Sequence, residues 1–430
     1  MAETLLSPGV LARENDLSAI TAQPIQAGAA IIGPTVKGPV GIPTLVTSYS
    51  EYAQAFGTTF LSASLQQEFL TSNSAYNYFN NGGTTLLVTR VVSGSFTSAT
   101  STNISGSGVA VATSFTLKTF GEGAIMNSSG SEVDGALVSG SSDNLRWEVA
   151  GFSTSSGTFS LLIRRGDDNT SEKTVLESYA NLSLDPTAPN YISKVIGDSY
   201  KTVNTSDTTP YVQDNGTFPN RSRYVYVSAV NSKTPQYFDN NGDFKSEYTA
   251  SLPAVASGSF ENATGQVYFN TAGAAFNEKI TTAANIQGLN NTNYTTSIDL
   301  LSNQDEYNFN SITVPGVMIE TAPSTTTKLI NMVQERGDAL AIVDASTYGA
   351  TINAMTAEAS AYNSSYAAVY APWLQTTSPE TGELVWVPAS TMIPGVYAYN
   401  DRVGEAWFAP AGLNRGGLAT VVRPERKFSQ

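Results

Sequence analysis

Residues 324–343, STTTKLINMVQERGDALAIV, contain the pattern that decides the fold class. Ser324 is a suitable helix N-cap, and Gly337 is typical of the residue that ends a helix. Between them, apolar side chains recur at helical spacing on one face: Leu329, Ile330 and Val333. The apolar run 339–343 then predicts a buried strand. A helix followed at once by a buried strand is typical of α/β folds.

The same alternation continues on both sides of this stretch. Residues 314–319 before it and 366–370 after it indicate strands, and 351–362 indicates a second helix. Strands that are joined through helices pair in parallel, with right-handed crossovers. We therefore expect a parallel sheet in this part of the chain.

The first hundred residues show a similar pattern. Residues 27–33, AGAAIIG, and 85–92, TLLVTRVV, predict strands that are buried on both faces. Ser48 and Glu51 form the capping box of a helix. An amphipathic pattern over 61–79 predicts a second helix.

Residues 93–310 differ from both flanks, because they are rich in Ser, Thr, Asn and Gly and contain short alternating β segments. The clearest of these segments are 147–150, 160–164 and 223–230. We expect one or two β-rich outer domains here, with a seam near 204–220. The predicted fold is thus a mixed α/β domain, formed by 27–92 and 311–430, that a β-rich insertion interrupts. Residues 1–26 are expected to form an extended arm that frays unless a partner orders it.

The composition restricts the classes of function. The chain has 36 acidic and 22 basic residues and a formal net charge of −14, which disfavours nucleic-acid binding through phosphate neutralisation. It contains no Cys and no His, so disulfides, thiolate metal sites and histidine-based catalysis are excluded. No apolar run approaches the ~18 residues of a membrane span, and the start lacks the basic and apolar regions of a signal peptide. We therefore expect synthesis in a cytoplasm.

Asp344 is the main candidate for a catalytic carboxylate, because it directly follows the predicted strand 339–343. No basic or metal-binding partner lies near it in the sequence, so a capping role is the preferred interpretation and an α/β enzyme centred on Asp344 is the weaker alternative. Residues 239–243, DNNGD, begin like a calcium loop but lack the Gly and Glu that such a loop requires, which favours an acidic surface turn. Residues 167–169 predict a hairpin turn. The sequence thus predicts no catalytic residue, no cofactor and no metal site.

A carbohydrate-binding protein or surface adhesin is the other alternative, based on the Ser-, Thr- and Asn-rich insertion. Tyr366 and Tyr370 do not strengthen it, because their even spacing on a predicted strand is explained by packing on one face of a sheet.

Two groups of short motifs flank the insertion. The group before it is Ser7-Pro8-Gly9, 31–39 (IIGPTVKGP), 43–48 (PTLVTS), 78–83 (YFNNGG) and 88–92 (VTRVV). The group after it is Pro315-Gly316-Val317, 371–373 (APW), 387–390 (VPAS) and 409–412 (APAG). In this order, the motifs resemble the contractile tail sheath proteins of bacteriophages.

The resemblance implies a structural, non-enzymatic subunit that assembles helically around a tail tube and contracts to drive the tube through the envelope of a target cell. It implies four kinds of partner: copies of the same chain linked by strand exchange through terminal arms, the tail tube protein, and the baseplate and tail terminator proteins. It implies neither nucleic-acid binding nor membrane insertion. The expected location is the tail of a virion that is assembled in the bacterial cytoplasm, with the insertion facing outward.

The residues that we expect to make or support subunit contacts lie in three places. In the arm they are Ser7, Pro8, Gly9, Val10, Leu11, Arg13 and Glu14. In the strand at 85–92, Arg90 is expected to support the inner domain. In the segment 401–417, DRVGEAWFAPAGLNRGG, the residues expected to pack a turn are Trp407, Pro410, Gly412 and Arg415.

The resemblance also implies a further helix and a C-terminal arm after the segment 401–417. The sequence ends at Gln430, so we expect both to be missing from this chain. We therefore expect the chain alone to be a monomer or a short oligomer.

Overall fold

A computed structural model describes most of the chain. The described residues are 25–62, 65–108, 113–126, 132–207, 209–266, 276–405 and 407–428.

The strands among the described residues, in chain order, are β1 (Ile25–Gly33), β2 (Thr44–Val46), β3 (Thr59–Ser62), β4 (Leu65–Glu68), β5 (Leu86–Arg90), β6 (Ser98–Ser101), β7 (Phe115–Glu122), β8 (Glu132–Val133), β9 (Ala136–Leu137), β10 (Leu145–Ser153), β11 (Thr158–Arg165), β12 (Val175–Ser183), β13 (Tyr200–Asn204), β14 (Tyr211–Asn215), β15 (Val225–Val230), β16 (Ala256–Glu261), β17 (Tyr307–Met318), β18 (Leu340–Asp344), β19 (Ala367–Tyr370), β20 (Leu374–Thr377), β21 (Leu384–Val387) and β22 (Val421–Pro424). The α-helices there are α1 (Tyr49–Phe56), α2 (Leu70–Asn80), α3 (Ile192–Val195), α4 (Ser246–Thr249), α5 (Thr295–Leu300), α6 (Pro323–Arg336), α7 (Ile352–Ser360) and α8 (Ile393–Val403). Short 3-10 turns lie at Ala124–Met126, Asn291–Tyr294 and Ala389–Thr391.

A six-stranded sheet, called the inner sheet below, contains strands from both sides of the β-rich region. Its order is β19-β18-β17-β1-β5-β2. Strand β1 pairs in parallel with β5 on one side and with β17 on the other. β17, β18 and β19 are parallel and connected through α6 and α7, as predicted, whereas β2 pairs antiparallel at one edge. The predicted mixed α/β fold class is confirmed.

The inner sheet is covered on both faces, because alternate residues of β1 enter different cores. Ala30 and Ile32 belong to the apolar cluster that contains the buried side chains of α5 and α6. Ala29 and Ile31 belong to the cluster that contains those of α1 and part of α2. This alternation is the period of two that a strand dictates. It explains why β1 is apolar without interruption from Ala27 to Gly33.

Some helix ends follow the predicted signals and others do not. Ser48 Oγ accepts a hydrogen bond from the Glu51 N–H (3.2 Å) and so caps α1. The Glu51 carboxylate bonds to the Thr47 N–H (2.8 Å) and not to that of Ser48, so only half of the predicted capping box is formed. Gly337 ends α6 in the left-handed conformation, with φ +73°. Helix α6 begins at Pro323, however, and not after a Ser324 cap. Proline is favoured at the first helical position because its ring presets φ.

The helix predicted over 61–79 is wrong in its first half. Strands β3 and β4 form a hairpin there, with Thr59 opposite Glu68, and helix α2 starts only at Leu70. The Phe60 ring packs on Phe69 at a centroid distance of 4.8 Å. Leu61 and Leu65 remain 79% and 45% exposed, so the helical spacing of apolar residues in this half of the segment does not correspond to a buried face.

A seven-stranded antiparallel sheet, called the outer sheet below, occupies much of the insertion. Its order is β12-β11-β10-β16-β6-β7-β15. Burial alternates strictly along β7, which places one face against an apolar core that includes Trp147 and Phe159. Its strands come from both sides of the expected seam, and the hairpin β13–β14 forms a separate two-stranded sheet there. The predicted domain boundaries remain predictions.

Candidate functional site

Arg90 is the last residue of β5, and its side chain is buried where the inner and outer sheets meet. It donates hydrogen bonds to the carbonyl oxygens of Gly38 (2.5 Å) and Glu122 (2.8 Å). Its guanidinium also lies 5.3 Å from the centre of the Phe96 ring. Burial lowers the pKa of Arg90 to about 10, so the side chain is charged at neutral pH. Arg90 therefore connects the two sheets, in addition to the support of the inner domain that the sequence predicts.

Glu122, at the end of β7, is the second residue of this junction. Its carboxylate accepts a hydrogen bond from the Val40 N–H (3.0 Å), and its own N–H donates to the Gly38 carbonyl (3.1 Å). Burial raises the pKa of Glu122, and the Val40 N–H and Arg90 counteract the rise. Lys37 and Asp143 add an ion pair at 3.3 Å. The loop after β1 is thus bonded to the outer sheet through both backbone and side chains.

A cleft of about 870 Å³ opens beside this junction. Residues 37–39 and 42–45, which follow β1, and Gln54 of α1 line one side of it, while Phe120, Tyr226 and the hairpin residue Tyr200 line it from the insertion. Its volume lies within the ~300–1,000 Å³ that is typical of small-molecule sites. Sequence analysis does not predict this cleft, because its lining comes from segments that are far apart in the chain.

Asp344 ends β18, and only 2% of its surface is exposed. It accepts hydrogen bonds from the backbone N–H (2.8 Å) and the hydroxyl (2.5 Å) of Ser390. Burial raises the pKa of Asp344 to about 7, and the two Ser390 bonds limit that rise. Ser390 belongs to the 3-10 turn Ala389–Thr391. The carboxyl group thus fixes this distant turn against the end of the inner sheet, which is a structural role. It does not cap the loop or helix that directly follows it, as the sequence analysis expects, since helix α7 is capped by Thr351.

The other acidic segments that the sequence singled out are turns. Asp239 Oδ1 accepts hydrogen bonds from the N–H groups of Asn241 (2.8 Å) and Asp243 (2.9 Å) in an exposed turn, as predicted. Asp168 lies in the turn between β11 and β12, but its carboxylate is buried between Arg164 (2.8 Å) and Arg146 (3.3 Å). In the part of the chain that the structure describes, no three His, Cys, Asp or Glu side chains come together to hold a metal ion.

The segment 401–417 lies mostly at the surface. Trp407 is 78% exposed and Leu413 is 99% exposed, so Trp407 does not pack the turn as the sequence analysis expects. Arg415 lies over the Phe408 ring at 4.7 Å. Pro410 is half-buried, and Gly412 adopts φ +77°, where a side chain would add strain. The segment thus presents large apolar side chains to solvent.

The predicted arm residues, Ser7, Pro8, Gly9, Val10, Leu11, Arg13 and Glu14, lie outside the described residues. Of the remaining predicted contact residues, Arg90 lies at the junction of the two sheets, and Trp407, Pro410, Gly412 and Arg415 lie together in one surface segment. Within the described residues, no helix combines the length and the apolarity that crossing a bilayer requires.

Comparison with known proteins gave matches among solved structures. No protein-family model and no curated protein matches the chain. A sheath tail protein from Listeria innocua is similar with a TM-score of 0.45 and 10% identity, over 89% of this chain and 58% of that one. A second, from Desulfitobacterium hafniense, is similar with a TM-score of 0.44 and 11% identity, over 98% of this chain and 68% of that one. Both neighbours are sheath tail proteins. This chain spans 58% of the length of the first.

Proposed function

We propose that this chain is a structural, non-enzymatic subunit of a contractile tail sheath. The observation that carries the proposal is the position of β1, which pairs with β5 from before the insertion and with β17 from after it. The pattern of strands and helices predicts such a split inner domain, and the motifs that resemble tail sheath proteins lie on both sides of the insertion. In this proposal the subunits assemble helically around a tail tube, and their contraction drives the tube through a target envelope.

Exposed sheet edges support helical assembly through strand exchange. The small sheet β21-β20-β22 has two outer strands, and Leu384 on β21 and Val422 on β22 are both more than half exposed. An edge strand offers unpaired backbone N–H and C=O groups to a strand from another chain. A contact between different surfaces of successive copies, repeated with a screw rotation, gives a filament.

The charge and the packing of the chain fit the same function. A net charge of −14 repels free copies from one another and keeps them soluble before assembly. Contraction needs no nucleotide if the energy comes from a change in subunit packing that is summed over many copies. We propose the tail tube, baseplate and tail terminator proteins as the other partners, and the virion tail, assembled in the bacterial cytoplasm, as the location.

Co-expression with a tail tube protein of the same virus tests the proposal, with electron microscopy as the readout. We expect sleeves around tubes when both proteins are present, and a monomer or short oligomer when the chain is alone. Monodisperse globular particles beside naked tubes would reject the sheath proposal.

Charge placed on a sheet edge tests the strand-exchange contact separately. Leu384→Lys should abolish sleeves, because it places a charge where a neighbour's strand would pair. Val138→Lys is the matched control, since Val138 is 64% exposed and lies in the insertion. If Leu384→Lys assembles as well as the wild type, β21 is not a contact edge, whereas the sheath proposal itself would stand.

A further inference from the structure

The cleft beside the junction contains a fixed aromatic surface. The rings of Tyr200 and Tyr226 stack with centroids 5.0 Å apart and an interplanar angle of 20°. Tyr226 is buried and packs in turn against Phe120, at 5.3 Å. Tyr200, in contrast, is 38% exposed. The Tyr200 ring thus packs on Tyr226, which Phe120 supports in turn, and it lines an open cleft. This stacking restricts the Tyr200 side chain before any ligand binds.

The charged side chains that line the cleft are balanced. They are three basic and three acidic residues: Lys37, Lys201, Arg223, Glu122, Asp143 and Asp214. Four of them form ion pairs, Lys201 with Asp214 at 2.9 Å and Lys37 with Asp143 at 3.3 Å. A ligand with a net charge therefore gains little from this site. A neutral ligand rich in hydroxyl groups can bond to donors and acceptors on both walls.

We propose that this cleft binds a neutral oligosaccharide, with one sugar ring stacked on Tyr200. The face of an aromatic ring is electron-rich and attracts the weakly positive C–H groups on the flat side of a pyranose. The ion-paired side chains on both walls then bond to the hydroxyl groups at the edge of the sugar. This binding activity is separate from assembly, so it does not depend on the proposed sheath function.

Titration of the full chain with neutral hexasaccharides tests the proposal. The probes are chitohexaose, cellohexaose and maltohexaose at millimolar concentration. Saturation-transfer NMR and calorimetry measure their binding. We expect at least one of them to bind, and Tyr200→Ala to weaken that binding about tenfold, which is the value of one aromatic contact. Tyr200→Phe keeps the ring and should bind as the wild type does.

Tyr211→Ala is the matched control. Tyr211 lies on the same hairpin, is 39% exposed and does not line the cleft, so its loss should leave binding unchanged. Thermal unfolding of each variant shows that it is folded. Tyr200→Leu keeps an apolar contact with Tyr226 but has no aromatic ring, so it should weaken sugar binding as Tyr200→Ala does. The proposal is overturned if no neutral hexasaccharide binds, or if Tyr200→Ala binds as the wild type does. Binding of a synthetic peptide of residues 1–24, without binding of any sugar, would overturn it as well.

Discussion

Replacing Asp344 by Asn should remove a large part of the pH dependence of stability. In the folded chain, burial raises the pKa of Asp344 to about 7. An unfolded chain exposes the same carboxyl group to water, where its pKa is ~3.9. The folded state therefore holds the proton more tightly than the unfolded state. The stability that this difference contributes is fully present below the unfolded pKa and is lost as the pH rises through about 7.

The size of the effect follows from the two pKa values. At pH 5 the folded side chain is mostly protonated and the unfolded one is mostly ionised, whereas at pH 8 both are ionised. Proton linkage with these values makes the fold ~3 kcal/mol more stable at pH 5 than at pH 8 through this one group. An asparagine cannot ionise, yet its amide oxygen can accept the Ser390 N–H, and its amide group can donate to the Ser390 hydroxyl.

Thermal and urea unfolding at pH 5 and pH 8 measure this difference. From pH 5 to pH 8, we expect the free energy of unfolding to fall by ~3 kcal/mol more in the wild type than in Asp344→Asn, in the transition of the inner sheet. Asp305→Asn, at an exposed position just before β17, is the control and should keep the wild-type dependence. Equal pH dependence in the wild type and Asp344→Asn would show that the carboxyl group ionises in the fold without penalty, which would refute the raised pKa.

Three further variants test other parts of the fold. Arg90→Met should lower the free energy of unfolding in urea by ~1–3 kcal/mol, because the Glu122 carbonyl loses its Arg90 donor and the Gly38 carbonyl keeps only the Glu122 N–H. The exposed Arg221→Met should change it by less than ~0.5 kcal/mol, and equal losses in the two variants would show that the Arg90 bonds do not stabilise the junction. Glu68→Gln should reduce the difference in free energy of unfolding between pH 5 and pH 8 by ~2 kcal/mol, since burial raises the pKa of Glu68 to about 7. An unchanged difference between the two pH values would contradict this. Trp407→Ala should leave the melting temperature within ~1 °C of wild type but reduce the sleeve fraction in sedimentation, and full assembly would exclude Trp407 from subunit contacts.

The strands and helix ends that sequence analysis located depend on local chemistry. A side chain such as Ser48 caps a helix through a bond to a residue three positions away. Gly337 ends a helix through its own backbone conformation. The strands β1, β5 and β18 are predicted from runs of mainly apolar residues, because both faces of a parallel sheet are covered. In these places, residues that are close in the sequence determine the local structure.

The hairpin β3–β4 and the cleft depend on contacts between distant segments. Phe276 packs against Phe60 at 5.9 Å, although the two residues are far apart in the chain. In the cleft, the position of the Tyr200 ring likewise depends on Tyr226, and the opposite wall of the cleft comes from residues 37–39 and 42–45. A periodic pattern in one segment cannot show which distant segment will cover it. The buried carboxylate of Asp168 was missed for the same reason, since one of its partners, Arg146, lies on another strand.

Buried charged side chains and exposed apolar side chains have different roles in this chain. Asp344, Asp168 and Arg90 are buried, and each makes its hydrogen bonds or ion pairs within the fold. Their chemistry therefore stabilises the shape of the subunit. In contrast, Trp407 and Leu413 remain 78% and 99% exposed, and burial of one such side chain is worth ~1.5–3 kcal/mol. In the proposed sheath, contact with another subunit would recover that free energy at every copy, so these exposed side chains are where we expect assembly to be decided.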